Sequence, residues 1–168
     1  MKQNIFFIGA LLFTVSCTQE SVPTVTAAVE TEPCLALEGE DAADDPAIWL
    51  DPANPDQSLI FGSNKKLGLE VYNLEGVRLA HYPTGKLNNV DVALNVQFGD
   101  AQHDIVAASN RDFDRIDVWV IDPATHALTL VSDTAMRTQL TGVYGFCLWN
   151  DTLNKTTFAF VNNKGGEV

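Results

Sequence analysis

An asparagine followed by a basic residue ends three short apolar segments of this chain. The basic residues are Lys65, Arg111 and Lys164, at intervals of 46 and 53 residues. Taken singly, each dipeptide is a good turn sequence at the end of a strand. Three copies at similar spacing predict equivalent positions in a repeated unit, where the cations would converge at one end of the fold. Convergent ammonium and guanidinium groups suit an anionic ligand, and phosphate is the foremost candidate.

Carboxylates and amides stand at the entry to the first two units. The segment "EDAADDP" and the segment "NNVD" supply Glu40, Asp41, Asp44, Asp45, Asn89 and Asp91. Carboxylate, amide and carbonyl oxygens are the ligands that calcium prefers. Their spacing is not that of an EF-hand loop, and a polar turn at Asp44-Asp45-Pro46 explains the first cluster equally well.

Several other routes to phosphate chemistry are absent from the sequence. It contains no Gly-x-x-x-x-Gly-Lys-Ser/Thr loop, no Arg-His-Gly motif and no Gly-x-Ser-x-Gly elbow. A cysteine nucleophile with a phosphate-cradling arginine is also missing, because Leu153 lies six residues after Cys147. Metal-assisted hydrolysis by activated water is the chemistry that remains.

The chain of 168 residues carries a formal net charge of -12. This length suffices for one globular core. The acidity argues against nucleic acid and anionic membrane surfaces as partners, because both require a basic footprint. His81, His103 and His126 are isolated and no Cys-x-x-Cys pair is present, so we expect no zinc site.

The N-terminus has the pattern of an export signal. Lys2 precedes an apolar run over Ile5–Val15, which is too short to span a membrane and fits a secretory core. Cys17 follows directly and resembles the lipidated cysteine of bacterial lipoproteins, although Thr14 stands where leucine is usual. We therefore predict a signal segment over residues 1–17, with lipidation at Cys17 or plain secretion as the alternatives. The protein would be a cell-envelope lipoprotein or a secreted protein, and residues 18–30 would form a tether.

Export would place the two remaining cysteines in an oxidising compartment. Cys34 and Cys147 could then pair, although their separation in sequence says nothing about geometry. The setting of Cys147 in "YGFCLW" predicts a buried strand residue.

After residue 38 the chain is a series of short β patterns separated by turn signals, with no apolar period of 3.6 residues. In "LEVYNL", Leu69 and Val71 alternate with Glu70 and Tyr72, which predicts a half-buried strand. The sequence thus predicts an all-β fold with ten strands, at 47–51, 58–63, 69–74, 78–83, 90–96, 104–109, 116–121, 128–132, 144–149 and 157–162.

These strands also repeat as units of four with a period in the forties or fifties, which is typical of propeller blades. A β-sandwich with coincidental similarity is the alternative. Propellers close with about four to eight blades, and this chain supplies only the first two to three. We therefore expect residues 31–168 to be the N-terminal part of a larger propeller domain, with little or no activity on their own.

Five motifs in order resemble the β-propeller phytases, which are calcium-dependent enzymes. They are "DAADDPAIWLDPANP", "SNKKLGLEVYNLEG", "TGKLNNVDV", "AASNR" and "VYGF", and the resemblance runs from about Glu30 to the last residue. It implies a six-bladed propeller with several Ca²⁺ ions at the top of the channel. One subsite there would hydrolyse a phosphomonoester of phytate (myo-inositol hexakisphosphate), and a neighbouring subsite would hold an adjacent phosphate.

The resemblance also implies roles for individual residues. Lys65, Arg111 and Lys164 match phosphate-binding cations, and Tyr144 matches a tyrosine at the cleavage site, so Lys65, Arg111 and Tyr144 are the catalytic candidates. The residues that match positions at or near the calcium ions are Glu32, Asp44, Asp45, Asn89 and Asp91. The pattern departs from the family at Gly165, where glutamate is usual, and it is open whether Glu167 replaces that residue.

The resemblance therefore predicts a 3-phytase-type phosphomonoester hydrolase, monomeric, acting on phytate as its calcium complex. Two alternatives stay open. One is a non-catalytic surface propeller that binds calcium or anions. The other is a propeller acting on another phosphoester or on a sugar.

Overall fold

The computed structural model describes residues 24–37, 39–132 and 136–168. The predicted signal segment 1–17, its lipidation site Cys17 and the first part of the tether lie outside these ranges. Within the described ranges, no helix combines the length and the apolar character needed to cross a membrane.

Ten strands and one short 3-10 turn at Pro55–Gln57 form the part of the fold that the structure describes, so the all-β prediction is confirmed. Each predicted strand segment overlaps one observed strand. The strands are β1 (Ala43–Trp49), β2 (Leu59–Asn64), β3 (Gly68–Tyr72), β4 (Arg78–Tyr82), β5 (Leu87–Phe98), β6 (Ala101–Asn110), β7 (Arg115–Ile121), β8 (Leu128–Leu130), β9 (Val143–Asp151) and β10 (Thr156–Asn163).

The strands form three antiparallel sheets in chain order. Sheet 1 has the order β1-β2-β3-β4, sheet 2 the order β5-β6-β7-β8, and sheet 3 consists of β9 and β10. The first strands of the sheets are neighbours, because β1 contacts β5 and β5 contacts β9. Consecutive meanders with adjacent first strands are consistent with a partial β-propeller.

Apolar side chains from neighbouring sheets form two cores. Trp49, Phe61 and Leu69 of sheet 1 pack with Val106 and Trp119 of sheet 2, and all five are at most 1% exposed. Burial of each such side chain contributes about 1.5–3 kcal/mol. Alternate residues of β6 and β7 face the other way and meet sheet 3, in a second core of Ala93, Val96, Ile105, Ala107, Val118 and Phe146. Sheet 2 is therefore covered on both faces.

The prediction that β3 is half-buried is wrong. All five residues of β3 are buried, and Glu70 and Tyr72 face away from sheet 2. The segment 33–35 covers this face, because the amide of Leu35 and the thiol of Cys34 both donate hydrogen bonds to Glu70. A polar alternation in sequence cannot distinguish a solvated face from a face covered by a distant segment.

Glu70 is the centre of a buried polar network. Its carboxylate accepts five hydrogen bonds, from Cys34 Sγ at 3.0 Å, Leu35 N at 2.9 Å, Asn64 Nδ2 at 2.7 Å, Tyr72 Oη at 2.7 Å and Arg78 Nε at 2.8 Å. Burial alone would raise the pKa of Glu70, but these hydrogen bonds outweigh it and lower the pKa to about 2. The carboxylate is thus charged whenever the protein is folded near neutral pH.

One expectation about cysteine is corrected, and one question that the sequence left open is answered. Cys147 is exposed, because its neighbour Phe146 takes the inward position in β9 and successive strand residues face opposite sides. Within the described residues Cys34 and Cys147 are both free, so the pairing that the sequence left open is not formed. Burial and the hydrogen bond to Glu70 raise the pKa of the Cys34 thiol to about 12, which makes this thiol a donor and a poor nucleophile.

The repeated asparagines fold the turns that carry the three basic residues. The side-chain oxygens of Asn64, Asn110 and Asn163 each accept a hydrogen bond from the backbone amide two residues later, at 2.9, 3.0 and 2.9 Å. Their side-chain amides each donate to a carbonyl that precedes the same sheet, at Leu35, Thr84 and Thr141. Each asparagine therefore closes its own turn and ties it to the incoming chain.

Each of these asparagines also has an acidic partner. The side-chain amides of Asn64 and Asn110 donate to Glu70 and Asp117 at 2.7 Å, and that of Asn163 donates to Glu167. The acids of sheets 1 and 2 lie on the following strand, whereas Glu167 follows its turn directly. In sheet 3, Glu167 thus supplies the carboxylate that accepts the asparagine amide.

The residue before each asparagine adds a further link. Ser63 donates from its hydroxyl to the carbonyl of Asn88 in β5, and Ser109 donates to the carbonyl of Tyr144 in β9 at 2.7 Å. In the third copy Asn162 takes this place and accepts from the amide of Gly145 at 2.9 Å. In the first two copies, the serine before the asparagine therefore binds the next sheet and the asparagine folds the turn. The basic residue follows directly in that turn.

We expect Glu70→Gln to lower the free energy of unfolding at pH 7 by roughly 3 kcal/mol, because it removes the buried charge that pairs with the half-buried Arg78. The pKa of Glu70 is lowered from 4.5 to about 2, so its contribution is fully present above pH 4.5 and is lost as the pH falls towards 2. The difference from wild type should shrink over that range, as measured by urea unfolding with tryptophan fluorescence.

Glu75→Gln removes the same charge from an exposed turn residue and is the matched control. A constant difference between Glu70→Gln and wild type from pH 7 to pH 2 would contradict the assigned network.

Candidate functional site

A cavity of about 320 Å³ lies at the end of the molecule where β6 ends and β5 and β9 begin. Antiparallel pairing brings these points together, since the first strand of each sheet begins beside the end of the second. Three basic side chains line it, those of Lys86, Arg111 and Lys164, together with Asp112 and Tyr144. Three of the ten Lys and Arg residues of an acidic chain are thus concentrated at one opening.

Tyr144 is the centre of this group. The guanidinium carbon of Arg111 lies 5.8 Å from the centroid of its ring, and Nζ of Lys164 lies 4.6 Å from it. Both distances are within the range of cation–π attraction. The ring stabilises two cations that would otherwise repel each other, and it does so without neutralising them. An anionic group in the cavity would therefore meet two available positive charges.

The fold fixes each of the three residues through its backbone. The amide of Arg111 donates to the carbonyl of Lys86 at 2.8 Å, and the carbonyl of Tyr144 accepts from Ser109 at 2.7 Å. Lys164 follows Asn163 and is held by the asparagine turn. Arg111, Tyr144 and Lys164 are thus brought together by links between sheets 2 and 3.

Lys65, the third basic residue of the repeat, does not line this cavity. Its ammonium group lies 2.9 Å from Asp41 and 3.4 Å from Asp44. The hydrogen bond that Lys65 donates to Asp41 raises the pKa of Lys65, and the same bond lowers the pKa of Asp41. Lys65 therefore occupies the equivalent turn of sheet 1 in an ion pair, whereas Arg111 and Lys164 stack on an aromatic ring.

Three of the five residues matched to calcium line a second cavity of about 400 Å³, namely Glu32, Asp44 and Asp45. Asp45 is half-buried, and one of its carboxylate oxygens accepts from the side chain of Asn89 and from the amide of Val90, both at 3.1 Å. Asp45 and Asn89 hold equivalent positions, each two residues after the partner of a repeat asparagine. They join the first strands of sheets 1 and 2.

Asp91 has a different setting. Its carboxylate accepts from the amide of Leu148 in β9 at 2.8 Å, and it lines neither of the two cavities described above. Asp91 therefore links sheet 2 to sheet 3, as Asp45 links sheet 1 to sheet 2.

Calcium binds six to eight oxygen ligands, and Glu32, Asp44, Asp45 and Asn89 offer oxygen donors of that kind. Across residues 24–37, 39–132 and 136–168, no group of three or more His, Cys, Asp or Glu side chains is close enough to hold a metal ion. The donor chemistry fits calcium, but these residues alone provide an incomplete coordination shell.

Two residues of the cation cavity were not singled out from the sequence. Lys86 and Asp112 both line it, and they form an ion pair at 3.1 Å. A signal was present, because Lys86 lies in "TGKLNNVDV" three residues before Asn89, and Asp112 follows Arg111 directly. What the sequence could not show is that both side chains turn towards the same opening.

Comparison with known proteins agrees with the resemblance drawn from the motifs. The family model described as phytase matches residues 8–168. A 3-phytase from Bacillus subtilis (strain 168) is 41% identical over 147 residues, which cover 85% of this chain and 38% of the relative. The chain thus spans less than half the length of that relative. The match over nearly the whole chain shows that this protein belongs to the phytase family.

Proposed function

We propose that the protein of which this chain is part hydrolyses phosphomonoesters of phytate, as a 3-phytase-type enzyme with calcium as its cofactor. The observation that carries the proposal is the placement of Arg111 and Lys164 on Tyr144 at one open cavity. Membership of the phytase family supports it, as does the name of the relative from Bacillus subtilis. In this proposal residues 31–168 form the N-terminal part of a propeller domain.

Arg111 and Lys164 would bind the oxygens of the phosphoryl group. Phosphoryl transfer spreads negative charge over these oxygens in the transition state, so fixed cations lower the barrier. Arg111 can offer two parallel N–H donors, whereas Lys164 acts as a point charge. Tyr144 would hold both cations in place and line the position of the scissile phosphate.

Lys65 would contact a phosphate from the equivalent turn of sheet 1. Its pairing with Asp41 and Asp44 means that substrate must compete with two carboxylates for this ammonium group. Such partly exposed ion pairs contribute little to stability, so the exchange costs little.

Calcium ligands would come from Asp45, Asn89, Asp44, Glu32 and Asp91, together with residues from the rest of the proposed propeller domain. Bound calcium would offset the charge of a substrate with several phosphates and activate water for attack on phosphorus. Asp45 and Asn89 are the strongest candidates because their side chains already touch where the first two sheets meet.

We also propose that the protein is exported, through a signal over residues 1–17 and with lipid attached at Cys17. The support is the sequence pattern alone, a short apolar run followed by Cys17. Metabolic labelling with a palmitate analogue, compared between wild type and Cys17→Ala, would test the lipid anchor.

We predict that Arg111→Ala lowers kcat for phosphate release from phytate by about 10²- to 10³-fold in the full-length enzyme, since it removes a charged donor to the transition state. Lys155→Ala, in the turn between β9 and β10 at the opposite end of sheet 3, changes charge equally and should leave kcat unaltered. Unchanged turnover in a folded Arg111→Ala variant would contradict the assignment.

A chelator should abolish phosphate release by the full-length enzyme, and added calcium should restore it. Release of phosphate from phytate is measured at neutral to alkaline pH with EGTA, and then with calcium in excess. Calcium binding without turnover would favour the non-catalytic propeller. A preference for other phosphomonoesters over phytate would favour the alternative substrate class.

A further inference from the structure

Asp114 is the last residue of the loop that joins β6 to β7, and the roles proposed above leave it unused. The same loop begins with Arg111. Asp114 is half-buried and is not among the residues that line the cation cavity. Its φ of 49° is in the left-handed region, which aspartate tolerates better than most residues do. Asp114 therefore lies close to the site but outside it, in an unusual backbone conformation.

The carboxylate of Asp114 holds the start of β9. One of its oxygens, Oδ1, accepts hydrogen bonds from the backbone amides of Gly142 at 2.8 Å and Val143 at 3.1 Å. These are the two amides directly before Tyr144. Gly142 has a φ of 71°, and a left-handed residue lets consecutive amides converge on one anionic acceptor. Because hydrogen bonds to a charged acceptor are stronger than neutral ones, Asp114 fixes the direction in which the backbone enters Tyr144.

Backbone carbonyls of the same loop hold the earlier part of the segment that leads to β9. The carbonyl of Asp114 accepts from the amide of Thr138 at 2.8 Å and from its hydroxyl at 3.0 Å. The carbonyl of Phe113 accepts from Nε of Arg137 at 3.1 Å. Segment 137–143 is thus tied to the β6–β7 loop at both of its ends.

The equivalent junction between sheets 1 and 2 is built differently. The loop between β2 and β3 has three residues, whereas the loop between β6 and β7 has four, the last of which is Asp114. Asn88 is the counterpart of Tyr144, because the serine before each repeat asparagine donates to the carbonyl of one of them. The longer loop and its carboxylate therefore occur at the junction that carries the aromatic ring.

We propose that Asp114 is a positioning residue for Tyr144. Its carboxylate fixes the backbone ahead of the ring, so that Arg111 and Lys164 can both lie against that ring. This rests on the proposed function, because it concerns the same site. Without the carboxylate, two backbone amides lose a charged acceptor and the start of β9 can shift. A displacement of about 1 Å in such a group can cost about 10²-fold in rate, because the catalytic contacts depend on orientation.

The first test measures kcat and KM for phytate in the full-length enzyme with calcium present. Asp114→Ala should lower kcat about tenfold to a hundredfold, and KM should stay within about twofold of wild type because the cations still bind the substrate. Asp114→Asn keeps an acceptor of the same shape without the charge, so kcat should fall only about twofold to threefold. Asp122→Ala is the matched control, since this carboxylate also accepts two backbone amides, at the opposite end of sheet 2, and both values should stay unaltered.

A double-mutant cycle separates this role from a purely structural one. If Asp114 acts through Tyr144, Asp114→Ala should lower kcat no further in a Tyr144→Ala background. An equal loss of kcat with and without the ring would mean that Asp114 supports the loop of Arg111 instead, and the proposal would be overturned.

A spectroscopic measurement makes the test independent of turnover. Nζ of Lys164 lies 4.6 Å from the centroid of the Tyr144 ring, so the ring current should shift the side-chain resonances of Lys164 upfield in the lysine-labelled full-length enzyme. Lys164→Arg identifies these resonances. The upfield shift should be lost in Asp114→Ala, partly reduced in Asp114→Asn and kept in Asp122→Ala. A shift that Asp114→Ala retains in full overturns the proposal.

Two further outcomes are decided by the same measurements. If Asp114→Ala does not fold, Asp114→Asn takes its place, and unchanged kcat and unchanged Lys164 resonances in that variant overturn the proposal. If the wild-type enzyme releases no phosphate, the proposed function fails, and the Lys164 resonances still decide the role of Asp114.

Discussion

A side-chain amide at the end of the second strand of each sheet holds the turn that carries the basic residue. Asn64, Asn110 and Asn163 each satisfy a backbone amide within the turn, a carbonyl of the incoming chain and a carboxylate. Asparagine suits this task because it has a donor and an acceptor on one short side chain. The position of every cation in the repeat depends on these bonds. Asn64 and Asn110 are fully buried, so the loss of any one partner would leave a polar group unpaired.

The carboxylates that accept from these asparagines differ in how much else they hold. Glu70 binds the incoming segment 33–35, the strand residue Tyr72 and Arg78 at once, and thereby covers the outer face of sheet 1. Asp117 in sheet 2 binds Asn110, Arg115 and Ser132. Burying a charged group beside this many hydrogen-bond donors costs less free energy than burying it in an apolar setting. This explains how an acidic chain accommodates ionised groups in its interior.

Much of the fold was predictable because the strands are short, alternating and separated by clear turn signals. The segment "SNKK" predicted a turn at the right place, but the carboxylate that supports it comes from six residues later, and the carbonyl beside it lies 29 residues earlier. The burial of Glu70 and the exposure of Cys147 were not predictable for the same reason. Both depend on which face of a strand is covered by another part of the chain. The alternation of residue types along a strand does not show which face that is. At the site, the repeat of Lys65, Arg111 and Lys164 indicated an anionic ligand, and Tyr144 was indicated only by the family resemblance. The inclusion of Lys86 and Asp112 required the direction of their side chains.

The cations at this end of the molecule are stabilised in two physically different ways, and this difference sets what each can do. Lys65 and Lys86 are paired with carboxylates, so an incoming phosphate must displace an existing anion before it binds them. Within the described residues, Arg111 and Lys164 form no ion pair and instead lie over the ring of Tyr144. An aromatic face attracts a cation through its quadrupole and leaves the net positive charge in place. In a chain with a formal charge of -12, an aromatic ring is therefore the means by which two cations stay available to an anionic ligand.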